Sequence, residues 1–181
     1  MNRMIKTLAL TCAALAFVGC EARTDKVDGG GVLLSLSDFD GLPVVVSAST
    51  DCCNVAVEEM TLQNVVKDPN GVSSDLMNVE IQSYEVIYSR EDTGTRVPPP
   101  LVQAIFGVVP VNGVSTLNNY PVMRTDQFNN VPIKDLVDYG FDRETGSTVI
   151  RLRFGIRFFG RTLSGKPVES APAYFSVEVV P

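Results

Sequence analysis

Histidine is absent from all 181 residues of the chain. This absence removes the commonest general base, the Ser-His and Cys-His catalytic pairs, and the histidine-containing zinc sites. The sequence also contains no G-x-S-x-G, S-x-x-K or P-loop pattern. We therefore expect a protein that is not an enzyme, with no catalytic residues, no cofactor and no metal site.

Tryptophan is absent as well, which disfavours sugar recognition on a broad indole surface, although tyrosine and phenylalanine remain available. Positive charge is scarce, since 15 lysines and arginines stand against 21 aspartates and glutamates, a net charge of −6 at pH 7. An acidic surface repels phosphate backbones. We therefore expect no nucleic-acid partner.

The first 20 residues have the layout of an export signal. Arg3 and Lys6 give a basic start, residues 7–18 form an apolar core, and the segment ends at Cys20. The core is well short of the roughly 20 residues that a membrane-spanning helix needs. We interpret the segment as a secretory signal peptide.

Residues 17–20, Phe-Val-Gly-Cys, resemble the lipobox of bacterial lipoproteins, with phenylalanine where leucine is usual. The resemblance implies that residues 1–19 are removed and that Cys20 is the site of lipid attachment; the alternative is an ordinary signal peptide. It also implies a bacterial cell-envelope protein anchored to a membrane. In such a lipoprotein, Glu21 directly after the lipidated cysteine favours export to the outer membrane, where the protein would lie on the periplasmic or surface face. The membrane is then a partner through acyl chains, which hold firmly when two or more are present.

Residues 20–31 are polar and end in three glycines, a composition typical of a flexible tether. The eleven residues that follow Cys20 reach on the order of 20 Å. Residues 32–181 are then left for a single β domain. Cleavage before Cys20 removes two of the 15 basic residues and none of the 21 acidic ones, so the net charge changes from −6 to −8.

The domain consists of β-strand patterns separated by turn signals. Within residues 76–90 the alternation of apolar and polar residues changes phase near Ser83, which predicts a β-bulge. A helical turn is expected at residues 131–140. From residue 148 to 159, apolar residues alternate with polar ones, and a slip of one residue would bury three arginines. Strands are predicted at residues 32–37, 42–48, 55–67, 76–90, 104–111, 120–125, 148–159 and 173–179.

This pattern predicts an all-β fold, an antiparallel sandwich of about 7–9 strands. The stretches SYEVIYSRED and FFGRTLSGKPVESAPAYFSVEV resemble bacterial immunoglobulin-like and fibronectin III-like domains. The resemblance implies an immunoglobulin-like sandwich that lacks the Cys-Trp-Cys core of true immunoglobulin domains. It implies almost nothing about function.

Two adjacent cysteines, Cys52 and Cys53, are the unusual reactive groups of the predicted domain. Neighbouring Cα atoms lie about 3.8 Å apart, below the usual separation in a disulfide, so a bridge between them is expected to be strained and easily reduced. Such a bridge would act as a redox switch or stiffen a binding loop. Two reduced cysteines, a bridge to another protein and ligation of a soft metal are the alternatives.

A possible basic binding patch lies on one face of the strand at 148–159 and in the loop that follows. It consists of Arg151, Arg153, Arg157, Arg161 and Lys166. Such a patch fits an acidic partner, lipid headgroups or the carboxylates of a polysaccharide. The alternative is a solvated strand face on which the arginines pair with carboxylates, a surface that also discourages edge-to-edge aggregation.

We therefore predict a non-enzymatic envelope lipoprotein, in which a membrane-tethered β-sandwich acts as a binding, adhesion or scaffold module for an envelope protein or polysaccharide. The alternative is a redox-active or metal-handling periplasmic lipoprotein that uses Cys52 and Cys53. A third hypothesis, a hydrolase, depends only on the carboxylates of Glu58, Glu59, Asp135 and Asp138.

Overall fold

The computed structural model describes residues 31–181. The predicted signal peptide, the predicted lipid-attachment residue Cys20 and all but the last residue of the predicted tether lie outside the described residues. Within residues 31–181, no helix is long and apolar enough to cross a membrane.

Nine strands and two short helices make up the regular structure of residues 31–181, and a 3-10 turn (Asp75–Met77) precedes the fourth strand. Both helices lie between the sixth and seventh strands: α1 (Thr125–Phe128) and α2 (Ile133–Tyr139). As predicted, the second helix ends at Gly140, which has a left-handed φ of 78°. The strands are β1 (Val32–Asp40), β2 (Val45–Ser47), β3 (Asn54–Val66), β4 (Val79–Arg90), β5 (Leu101–Val109), β6 (Gly113–Arg124), β7 (Ile150–Thr162), β8 (Pro167–Glu169) and β9 (Ala173–Val180).

The strands form two sheets that pack face to face. The first has the order β1-β3-β6, and the second has the order β2-β9-β7-β4-β5, with β8 paired to β7. The pairs are antiparallel except that β2 runs parallel to β9. Buried apolar side chains from both sheets form one core. The prediction of an all-β sandwich is confirmed at this level.

The alternation along β7 determines which face of the second sheet is buried. The arginines of β7 point to the opposite face from its large apolar residues, and β9 pairs beside it with Phe175 opposite Phe154. Burying this face stabilises the fold by roughly 1.5–3 kcal/mol per large apolar side chain. The predicted inner face is confirmed, because its five residues are all 0% exposed: Ile150, Leu152, Phe154, Ile156 and Phe158.

The predicted bulge lies where the phase of β4 changes. The register of β4 shifts between Ile81 and Ser83 against both β5 and β7. Beyond the shift, the buried hydroxyls of Tyr84 and Tyr88 each donate a hydrogen bond of 2.7 Å to a backbone carbonyl of β6. Burial raises the pKa of both phenols. The bulge therefore turns two tyrosines inward, where they connect the two sheets.

Several of the predicted strand limits are wrong; for example, β1 continues to Asp40 and β5 begins at Leu101. The strand predicted at 42–48 is only the three residues of β2, and the connection predicted after residue 159 is partly strand, because β7 continues to Thr162 and pairs with β8. The strand predicted at 120–125 begins seven residues earlier, at Gly113. The early part of β6 is polar and buries only Leu117, so its pairing with the long β3 keeps it in the sheet.

The long strand β3 defines two ends of the sandwich. Its 13 residues, at about 3.3 Å each, span roughly 40 Å. Val66, the last residue of β3, pairs with Val32, and the next residue, Lys67, donates its backbone N–H to the Gly31 carbonyl (3.0 Å). We call this the Gly31 end. The opposite end, where Cys53 precedes the first residue of β3, is called the Cys53 end.

Arg90, Asp92 and Asp142 form a buried ion cluster that joins the turn after β4 to the loop before β7. Arg90 donates through Nε to Asp92 Oδ1 (2.6 Å) and through Nη2 to Asp142 Oδ2 (2.9 Å). Burial by itself raises the pKa of Asp142, but hydrogen bonds from Arg90, the Glu144 backbone and the Thr145 hydroxyl outweigh it and hold this pKa below its ordinary value. Burial also acts to raise the pKa of Asp92, but the hydrogen bond and the charge of Arg90 help to hold this pKa below its ordinary value.

Candidate functional site

The loop that carries the two cysteines lies between β2 and β3 and is held by hydrogen bonds around Ser47. The Ser47 backbone N–H donates to Asp51 Oδ2 (2.8 Å), and its carbonyl accepts from the Asp51 N–H (3.0 Å). The Ser47 hydroxyl donates to the carbonyl of Pro181 (3.0 Å), and Ala48 N–H donates to the carbonyl of Val180 (2.7 Å). The loop is therefore fixed to the end of the chain.

Cys52 and Cys53 form a disulfide, with their Cα atoms 3.7 Å apart. Both residues are exposed, and Cys53 has a φ of 93°, which is uncommon for a residue with a side chain. The bridge is thus presented to solvent on a loop whose base is hydrogen-bonded.

Three open clefts surround this loop. The largest, of about 390 Å³, is lined by residues from the loop and from the start of α1. A second, of about 180 Å³, lies between the loop and α2, with Cys52 on one side and Lys134 and Val137 on the other. A third, of about 200 Å³, lies against β2 and includes Asp51. The Cys53 end therefore offers three stretches of concave surface beside this loop, two of which include a cysteine of the disulfide.

The largest cleft combines opposite charges with the disulfide. Its lining residues are Cys53, Asn54, Arg124, Thr125 and Asp126. Neither Arg124 nor Asp126 has an ion-pair partner among residues 31–181. Both charges therefore remain available to a polar ligand or to a protein surface.

The arginines of the predicted basic patch lie along the outer face of β7, and each has a glutamate partner within 4.0 Å. The nitrogen–oxygen distances are 2.9 Å for Arg151 and Glu178, 4.0 Å for Arg153 and Glu91, 3.2 Å for Arg157 and Glu85, and 2.9 Å for Arg161 and Glu80. Lys166 is exposed in the turn before β8. The outer face of β7 thus has nearly balanced charge, which favours the solvated-face alternative.

The carboxylates considered for acid–base chemistry do not share a site. Asp135 is buried and accepts from Arg143 Nε (3.0 Å), whereas Asp138 is paired with Lys134 Nζ (2.7 Å). Glu58 and Glu59 are exposed neighbours on β3. Among residues 31–181, no group of three or more cysteine, aspartate and glutamate side chains is placed to hold a metal ion.

Sequence reasoning identified the cysteines of this site but missed the residues facing them. Arg124 lies beside Cys53 because β3 and β6 pair with Asn54 opposite Arg124. The two helices contribute the remaining walls, with residues such as Asp126 and Lys134. Arg124 could have been placed beside Cys53 only by predicting the register in which β3 pairs with β6.

The chain matches no protein-family model and no curated protein. It is similar to a solution structure provisionally described as a late embryogenesis abundant (LEA) protein, with 15% sequence identity and a TM-score of 0.39. The match covers 97% of this chain and 84% of that chain. Similarity this weak carries no argument about function.

Proposed function

We propose that the chain is a non-enzymatic lipoprotein of the bacterial outer membrane, whose β-sandwich is a binding module for an envelope protein or a polysaccharide. The observation that carries the proposal is the position of the Cys52-Cys53 loop and its clefts at the end opposite Gly31. An anchor at Cys20 would attach through the chain that precedes Gly31. The clefts would then face away from the membrane.

We also propose that the sandwich is immunoglobulin-like. When the short strands β2 and β8 are left aside, the sheets have the strand orders first-second-fifth and fourth-third-sixth-seventh. Immunoglobulin-type sandwiches likewise keep the first, second and fifth strands in one sheet and the third, sixth and seventh in the other, and variable-type domains add further strands beside the third. This order supports the proposal and says nothing about the ligand.

The anchor is tested by replacing Cys20 with serine. Serine cannot form the thioether on which lipidation depends, so the Cys20→Ser variant is expected to lose its acyl chains and its place in the membrane fraction. Intact mass and fractionation of cells measure both. Cys12→Ser is the matched control, because Cys12 lies in the predicted signal peptide and its replacement should leave acylation unchanged. A wild-type protein whose mature form carries no acyl chain at residue 20 would overturn the lipoprotein proposal.

An exposed disulfide favours the second candidate function, a redox-active or metal-handling lipoprotein. The double variant Cys52→Ser, Cys53→Ser separates the two. A redox or metal role predicts cells that are sensitive to oxidants or copper. A binding role predicts normal tolerance together with fewer crosslinks from a photoreactive residue placed at the exposed Ser49. Normal tolerance with unchanged crosslinks would show that the disulfide serves neither function.

A further inference from the structure

We infer that the Gly31 end of the sandwich rests on the lipid bilayer through an apolar tip formed by Val72, Leu76 and Leu163. This inference rests on the proposed lipid anchor and extends it. The anchor alone leaves the domain free to tumble above the membrane, whereas a tip in contact with lipid sets its orientation. The tip residues come from two loops, at 67–78 and at 163–166.

The tip places large apolar side chains in solvent. Val72 is 93% exposed, Leu76 58% and Leu163 50%. The two loops are joined by backbone hydrogen bonds, from Ser164 N–H to the Leu76 carbonyl (3.0 Å) and from Leu163 N–H to the Asn78 carbonyl (2.9 Å). These bonds hold the backbones of Leu76 and Leu163 close together, and Val72 lies at the same end, where it lines a cleft with Gly31 and Met77. Apolar side chains at this level of exposure favour insertion at the boundary between headgroups and acyl chains.

The position of the tip identifies the bilayer as its occupant. Gly31 lies at the same end, against Lys67 and the Met77 side chain, so the chain outside the described residues arrives beside the tip. Eleven residues separate Cys20 from Val32, a length that reaches on the order of 20 Å. An acylated Cys20 would therefore hold this end, and not the Cys53 end roughly 40 Å away, near the lipid.

The charges of the two loops are compatible with contact with a membrane. Lys67 and Lys166 balance Asp68 and Asp75, so the tip carries no net charge of its own, although the chain as a whole is acidic. Anionic lipids would repel a strongly acidic surface. The balanced loops avoid this repulsion, and an apolar contact remains the dominant interaction.

The absence of tryptophan makes the contact measurable. A Val72→Trp variant carries a single tryptophan at the tip, and a Val44→Trp variant carries one at the Cys53 end, where Val44 is 70% exposed. Each full chain is purified acylated and reconstituted in phosphatidylcholine vesicles with brominated acyl chains. We expect the Val72→Trp fluorescence to be quenched at least about twofold more strongly than that of Val44→Trp. A Leu163→Trp variant repeats the measurement from the second loop.

Equal quenching of the tip and the Val44 position, or none at either, would overturn the inference when the mass of the same sample confirms acylation. Missing acylation would instead overturn the proposed function, and the inference with it. A blue-shifted but unquenched tip signal that disappears on dilution would assign the tip to a second copy of the chain, and that outcome also overturns contact with the bilayer.

Discussion

Replacement of Asp142 by alanine is expected to lower the free energy of unfolding by about 3–5 kcal/mol. The Asp142 and Arg90 side chains are 0% and 3% exposed and lie 2.9 Å apart. Without Asp142 the guanidinium stays buried with only part of its charge compensated, by Asp92. Small domains have a total stability of roughly 5–15 kcal/mol, so the loss is a large share of it. Urea denaturation at pH 7 measures the change.

Asp138→Ala is the matched control for this prediction. Asp138 also forms an ion pair, with Lys134 Nζ at 2.7 Å, but both side chains are more than a third exposed. Exposed pairs four residues apart on a helix contribute about 0.3–0.5 kcal/mol. If the two variants lost the same stability, burial of the Arg90 cluster would not be what makes it important.

The pH dependence of the Asp142→Ala effect tests the same cluster. A carboxyl whose pKa is lowered on folding contributes stability above its unfolded pKa, and this contribution is lost as the pH falls through the folded pKa. The pKa of Asp142 is held below the ordinary value of 3.8. The difference between wild type and variant should therefore be full near neutral pH and shrink below about pH 4. A difference that grew on acidification would contradict the assigned direction of the shift.

The core strands could be predicted from the sequence because a sheet with one buried face leaves a local signal. Phe154 and Phe158 alternate with arginines along β7, and only one register buries the first set and exposes the second. The bulge near Ser83 could likewise be predicted, because the apolar residues of β4 before Ser83 stand at odd-numbered positions and most of those after it at even-numbered positions. Both inferences need only residues that are close together in the chain.

The ion cluster and the cleft could not be predicted in this way because both join residues that are distant in sequence. Arg90 and Asp142 are 52 positions apart, and nothing around either residue indicates the other. Arg124 lies beside Cys53 only through the register of β3 and β6. The pairing of the β7 arginines with glutamates from β4 and β9 is also tertiary, so the sequence could offer the basic patch and the solvated face only as alternatives.

Replacement of Phe154 by alanine is expected to lower the free energy of unfolding by about 3–5 kcal/mol, as for other buried phenylalanines. Phe154 is 0% exposed and lies at the centre of an aromatic cluster. Its ring centroid is 4.9 Å from that of Tyr88 and 5.1 Å from that of Phe175. Alanine would remove both contacts and leave a cavity that strands held by neighbours on both sides cannot close. Urea denaturation measures the loss.

Phe106→Ala is the control, because Phe106 lies on the edge strand β5 and is 77% exposed. Its replacement should change stability by no more than about 0.5 kcal/mol. A comparably small loss for Phe154→Ala would mean that the aromatic cluster does not hold the sheets together. A large loss for Phe106→Ala would mean that β5 is covered in solution. If a second molecule covers the strand, that loss would also fall when the protein is diluted.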